Sequence, residues 1–201
     1  MATAVSSLYN WRVQDTIRAF IAIHLPQDVK AYLGHLAEDL GGQVPNRSVR
    51  WVKPNRMHLT LRFIGETEKN LLAQLGHALD NIANQHQPFS LQLAGFGCFP
   101  NCKRPRVLWA GVGGELEAAS RLKADIDAAL EPLGWKAENR PFQPHLTIGR
   151  VKESRAVSGQ RWPNELTPLL IPADSIHLIE SELTPNGPIY TVRHSSSLQV
   201  S

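Results

Sequence analysis

The sequence predicts an α+β fold of two lobes, each a largely antiparallel sheet with helices on its outer face, and a central cleft between them. Three observations lead there. Strand-like and helix-like stretches are mixed along the 201 residues in the order strand, helix, strand, strand, helix, strand, and then much the same again. Residues 57–65 (MHLTLRFIG) alternate apolar Leu59, Leu61 and Phe63 with polar His58, Thr60 and Arg62, a period of two that reads as a half-buried strand. Residues 144–150 (PHLTIGR) repeat the pattern, with Leu146 and Ile148 towards a core and His145 and Thr147 on the other face. One polar pair is thus built twice, on two strands. None of the other histidines (His24, His35, His77, His86, His177, His194) has threonine two places on.

The remaining elements follow in order. Residues 18–24 read as the first strand. Pro26 suits the first turn of a helix, since it has no N–H to leave unpaired there. Val29, Leu33, Leu36 and Leu40 recur at helical spacing until Gly41-Gly42 ends the run. A short strand at 49–52 precedes the first motif. Thr67 can cap the next helix, whose stripe is Leu71, Leu72, Leu75, Leu79 and Ile82. Residues 88–93 return as a strand, 95–105 read as a loop rich in Gly, Pro and basic residues, and 107–112 form another strand. A third helix carries Leu116, Leu122, Ile126, Leu130 and Leu133 on its buried side, and Gly134 closes it. The second motif strand is next. After an irregular stretch at 152–168 with Arg155, Arg161 and Trp162, residues 175–183 and 189–193 form a hairpin around Pro185-Asn186-Gly187. This gives one bilobal domain over residues 16–194, a loosely ordered extension at 1–15 and a frayed tail at 195–201.

Composition narrows the class. Hydrophobic residues at 42% and charged residues at 19% suit a globular protein with a sizeable core. A net charge of +3 leans mildly towards a polyanionic partner. No stretch resembles a transmembrane span or a secretory signal, so the expected location is cytoplasmic. Two cysteines, Cys98 and Cys102, are too few for a disulfide framework and are read as reduced thiols. No zinc-ligand spacing accompanies them, and the expectation is no metal and no cofactor.

Two histidines on opposite walls of a cleft suit acid–base chemistry, in which one group takes a proton on one side of a reacting centre and another gives a proton on the other. Histidine titrates near neutrality, so a pair can hold one neutral and one protonated member together. Hydroxyl donors beside them can stabilise negative charge that builds up in the reaction.

HLTLRFIGE and PHLTIGR resemble the two signature motifs of the 2H phosphoesterase family. More narrowly the chain is similar to the RNA 2′,3′-cyclic phosphodiesterases, also called 2′-5′ RNA ligases. The resemblance extends to residues 18–26 (RAFIAIHLP), Arg50-Trp51-Val52, the middle segment with Phe96-Gly97, Phe99-Pro100 and 104–109 (RPRVLW), and the closing hairpin. It implies the bilobal fold, and His58 and His145 as catalytic residues without a metal. It also implies hydrolysis of RNA cyclic phosphate ends to 2′-phosphomonoesters, with weaker reverse joining through a 2′-5′ linkage; separately, a monomer is the expected state. Thr60 and Thr147 are the expected phosphate donors. Arg150 aligns with a family arginine near the phosphate, although strict alternation from His145 puts it on the core side unless Gly149 permits a bulge. Phe20 is open to stacking on a base or, the preferred reading, to core packing. Arg62 shares the parity of His58 and reads first as a surface ion pair; Lys103, Arg104 and Arg106 read first as a solvated loop. Two alternative functions stay open: action on a small cyclic phosphate such as ADP-ribose cyclic phosphate, and a non-catalytic RNA- or nucleotide-binding module.

Overall fold

The computed structural model describes residues 16–199; the expected extension at 1–15 lies outside them. The element order is β1 (Thr16–His24), α1 (Gln27–Gln43), β2 (Val49–Trp51), β3 (His58–Glu68), α2 (Leu72–Ala83), β4 (Phe89–Phe99), β5 (Val107–Gly114), α3 (Leu116–Leu130), β6 (His145–Val151), β7 (Leu170–Ala173), β8 (Ser175–Glu182) and β9 (Ile189–Ser197). Two sheets form, in the orders β3-β1-β8-β9 and β2-β6-β5-β4-β7, and the pairings are antiparallel. The lobes are not two halves of the chain. The C-terminal hairpin crosses back to complete the sheet begun by β1 and β3. The pseudo-symmetry therefore relates β3-β1-β8-β9 to β6-β5-β4-β7, with β2 added on one side only.

Alternation explains which faces are buried. Ile21, Ile23, Leu59 and Leu61 from the first sheet join Leu91, Leu108, Leu146 and Ile148 from the second in one core cluster with Leu33, Leu79 and Ile126 from the helices. Each such side chain contributes about 1.5–3 kcal/mol on leaving water. α1 packs on β2 and β6, α2 on β8 and β9, and α3 on β3 and β4. The opposite face of the first sheet carries a separate small cluster of Phe20, Ala22 and Ile179 with Tyr190. β3 and β6 approach one another, which brings the two motifs to a shared space.

Several boundaries differ from the sequence-based expectation. β4 runs through the expected loop to Phe99, because Gly95, at φ 52°, sits in a bulge between Ala94 and Phe96 and the pairing with β5 resumes beyond it. β7 is a further strand, pairing with β4 alone, where Pro172 is tolerated because an edge position needs no donor. Thr67 does not cap a helix. It is buried in β3 and donates its hydroxyl to the Gly65 carbonyl at 3.1 Å. The chain past His194 is strand to Ser197 rather than frayed: Ser196 donates to Asp80 of α2 at 2.7 Å and Leu198 is buried. Cys98 and Cys102 are joined in a disulfide with Cα atoms 5.0 Å apart, so the reduced-thiol reading is corrected. A single local cross-link across a tight turn needs no framework of further cysteines.

Candidate active site

Each motif strand bulges immediately after its threonine, and β3 bulges a second time at Ile64, between Phe63 opposite Phe20 and Gly65 opposite Ala19. In β3, Thr60 pairs with Ala22 and Arg62 with Ile21, leaving Leu61 extra; in β6, Thr147 pairs with Trp109 and Gly149 with Leu108, leaving Ile148 extra. A one-residue insertion reverses the side-chain parity beyond it. Leu61 and Arg62 are consequently both buried, as are Ile148 and Gly149. The next residues, Phe63 and Arg150, emerge exposed. Phe63, expected in the core, is 61% exposed and its ring lies 6.2 Å from that of Phe20. Arg150 is exposed, and its charge acts on the hydroxyl of Tyr190, whose ring stands edge-on to His58 at 5.3 Å. Burial raises the Tyr190 pKa, and Arg150, Arg56 and Arg18 oppose that rise.

Arg62 is the clearest correction among the charged residues. It is neither a surface ion pair nor a cleft residue. Its guanidinium lies 3.4 Å from Asp127 and 3.6 Å from Glu138, and it donates to the Lys136 carbonyl. Lys123 completes the group at 2.5 Å from Asp127 and 3.3 Å from Glu138. Two cations thus meet two carboxylates, which makes a buried charge cluster tolerable. Together with the Trp135 indole N–H donating to the Ile64 carbonyl at 3.1 Å, it ties β3 to the segment leading into His145.

The two histidines are held alike. Nδ1 of His58 is 2.9 Å from the Arg56 carbonyl, and Nδ1 of His145 is 2.8 Å from the Gln143 carbonyl. A carbonyl only accepts, so each Nδ1 carries the proton and each neutral ring presents Nε2 as a free base. The ring environments differ. His58 stacks on Phe20 at 4.6 Å, whereas His145 meets Phe99 edge-on at 5.0 Å and Trp109 at 6.2 Å. Burial holds the His58 pKa down to about 4; His24 and Lys30 add to the lowering, against the bond to Arg56. Thr60 and Thr147 are half-buried, one strand pleat beyond their histidines. Phe20 is 3% exposed and its ring is engaged by His58, Phe63 and Tyr190, so it packs beneath His58.

Sequence reasoning did not select His24, His177 or Tyr190. His24 lies opposite His58 in register and stacks on His177 at 3.9 Å, making a row of imidazoles across the first sheet. Burial and His24 lower His177 to about 4, with Asp174 opposing, and its ring nitrogens meet Ser195 at 2.9 Å and Ser175 at 3.2 Å. The only sequence signal was parity: His24 lies two pleats from Phe20. Among the described residues, no group of three or more His, Cys, Asp or Glu side chains gathers as a metal site, and no helix is long and apolar enough to cross a membrane.

One histidine–threonine pair stands on β3, the edge strand of the first sheet, and the other on β6, the second strand of the other sheet, and these two strands lie in contact. The chain matches the LigT-like phosphoesterase family over residues 23–109 and 113–190 and belongs to it. It is 36% identical over 195 residues to the RNA 2′,3′-cyclic phosphodiesterase of Thermus thermophilus, covering 91% of each chain. The protein of that name from Methanothermobacter thermautotrophicus is 31% identical over 181 residues, covering 87% of this chain and 95% of the other. Among solved structures, a Thermus thermophilus protein superposes with a TM-score of 0.78 at 33% identity, covering 90% of this chain and 98% of that one. Escherichia coli LigT complexed with 3′-AMP gives 0.74 at 25% identity, covering 92% and 100%.

Proposed function

We propose that this protein hydrolyses the 2′,3′-cyclic phosphate at RNA ends to a 2′-phosphomonoester, with His58 and His145 as the acid–base pair. The observation that carries the reading is the matched fixing of both imidazoles. Each donates Nδ1–H to the carbonyl two residues before it, which leaves two Nε2 atoms to face a phosphate from the two walls. Water adds to phosphorus as the bond to O3′ breaks. The neutral imidazole takes the proton from water, and the protonated one gives its proton to O3′, so the protons balance over the step. Thr60 and Thr147 supply hydroxyl donors to the non-bridging oxygens, and Arg150 supplies charge on the second wall. In place of water, a 5′-hydroxyl would give the 2′-5′ linkage, the weaker joining reaction.

The names of the relatives support the substrate class: several at 30–36% identity over most of this chain are RNA 2′,3′-cyclic phosphodiesterases. A nucleotide also occupies the LigT crystal structure. Phe63, exposed beside the His58 wall, supplies a ring face on which the terminal base can stack.

The test is turnover of an oligoribonucleotide ending in a 2′,3′-cyclic phosphate, with the product located by phosphorus NMR. The expected product is the 2′-phosphomonoester, formed at the same rate with EDTA present. A dominant 3′-phosphate overturns the direction of opening. Loss of activity with EDTA and its return with a divalent ion overturn the two-histidine mechanism.

A further inference from the structure

Outside the cleft, the structure gathers basic side chains that the sequence separates by some fifty residues. Lys103, Arg104 and Arg155, with Ser154 and Ser158, line a surface cavity of about 390 Å³. Taken singly, these cations read as solvated loop residues. Taken together, three positive charges and a serine hydroxyl converge on one depression, and among the described residues none of the three is within 4 Å of a carboxylate. Unpaired cations sharing a concave surface with a hydroxyl are the donor set of a phosphate site.

The walls of this cavity are built on the strands that carry the second motif. Asn101 sets the turn by accepting from the backbone N–H groups of Lys103 and Arg104 at 3.1 and 3.0 Å, which presents both side chains outward. The loop is clasped to the end of β6: Arg106 donates its N–H to Phe99, Val151 donates to Arg106, and the Ser154 hydroxyl donates to Pro105, at 2.7, 2.9 and 2.7 Å. At its start the same loop holds Phe99, whose ring touches His145 at 5.0 Å. Ser154 follows Arg150 by four residues, a reach of at most about 14 Å even for an extended chain. The cavity therefore lies within a few nucleotides of the reacting phosphate.

On the reading that the cleft takes a cyclic RNA end, we propose that this cavity is a subsite for a backbone phosphate of the same RNA strand, 5′ to the cyclised nucleotide. A cyclic phosphate occupies the 3′ terminus, so the chain must leave the cleft through its 5′ side. A cation-lined depression beside the Arg150 wall gives it a path. The preferred substrate is then an oligoribonucleotide rather than a cyclic mononucleotide.

The experiment compares a cyclic-phosphate-ended oligoribonucleotide with a 2′,3′-cyclic mononucleotide, using wild type and a Lys103→Ser/Arg104→Ser/Arg155→Ser variant. KM for the oligonucleotide should rise roughly tenfold or more, while the mononucleotide, too short to reach the cavity, serves as control. The salt dependence of oligonucleotide binding should become shallower by about 0.7 in log–log slope for each phosphate that is no longer neutralised. A charge-retaining Lys103→Arg/Arg104→Lys/Arg155→Lys variant should keep most of the affinity, and thermal melting checks that the variants fold. Equal losses on both substrates, or none on either, overturn the proposal. So does a polyglutamate peptide that competes as well as RNA, which would assign the cavity to an acidic protein. If wild type opens neither substrate, the cyclic-end reading fails separately. Anisotropy of a fluorescent oligoribonucleotide then still decides the subsite, since unchanged binding by the variant overturns it.

Discussion

In β3 the histidine–threonine pair is followed by Leu61, Arg62 and Phe63; in β6 it is followed by Ile148, Gly149 and Arg150. The backbone device is the same, a bulge that reverses parity and returns the third residue to the exposed side. The side chains are opposite in kind. One wall ends in an exposed aromatic ring and the other in a guanidinium, which suits a nucleotide with a base on one side and a phosphate on the other. The middle residue differs for a structural reason. β2 flanks β6 only, and a Cβ at Gly149 would sit 2.9 Å from Val49 and 3.1 Å from Trp51. β3 is an edge strand, and the equivalent slot is open enough for Arg62 to reach Asp127 and Glu138. A shared scaffold therefore fixes the two histidines alike, and the neighbours of each strand set which side chains follow them.

The largest test of that symmetry is deletion of each imidazole. His58→Ala and His145→Ala should each lower kcat by roughly 10²–10⁴-fold, and the double variant should be little worse than either, because the pair acts as a unit. Near-full activity in either single variant breaks the equivalence of the two walls. Next comes Arg62→Ala, which leaves Asp127 and Glu138 with one cation for two charges. It should cost about 3–5 kcal/mol of folding stability by chemical denaturation. A cost below about 1 kcal/mol would mean that the charge cluster is not what joins the two motifs.

The pH dependence of stability separates the walls further. His58 titrates at about 4 when folded against about 6.5 when unfolded. The unfolded chain therefore takes up protons first as pH falls. Stability is full above pH 6.5, declines between 6.5 and about 4, and levels off below. The His58 share is at most about 3 kcal/mol, and His177, lowered to the same value, acts in the same window. His58→Asn should flatten part of this slope in denaturant titrations across that range, and an unchanged slope would show that the imidazole is not held neutral by burial. Arg150→Ala should then remove about 2–3 kcal/mol from kcat/KM and abolish inhibition by inorganic phosphate. Unchanged kinetics would return Arg150 to the surface. The smallest effect is expected from Phe63→Ala, about 1–3 kcal/mol for the missing stacking partner, seen in KM and with phosphate inhibition intact. If Phe63→Ala and Arg150→Ala give the same pattern, the division of labour between the walls is wrong.

The sequence by itself determined the α+β class, the two His-x-Thr pairs and the strands that bear them, because alternation of period two is a local property that survives any tertiary arrangement. His58, Thr60, His145 and Thr147 needed no fold to be singled out as candidates. What it could not supply was everything decided by strand neighbours. Parity past Thr60 depends on a bulge against β1, so simple alternation put Phe63 in the core and Arg62 on the surface, the reverse of their places. Arg150 needed the matching bulge at Ile148, for which Gly149 was the only hint. The row of His58, His24 and His177 exists only because β1 lies between β3 and β8. The return of β8 and β9 to the first sheet and the cavity joining Lys103 to Arg155 rest on contacts between segments set by packing. Periodicity within one segment carries no information about which segment will lie beside it.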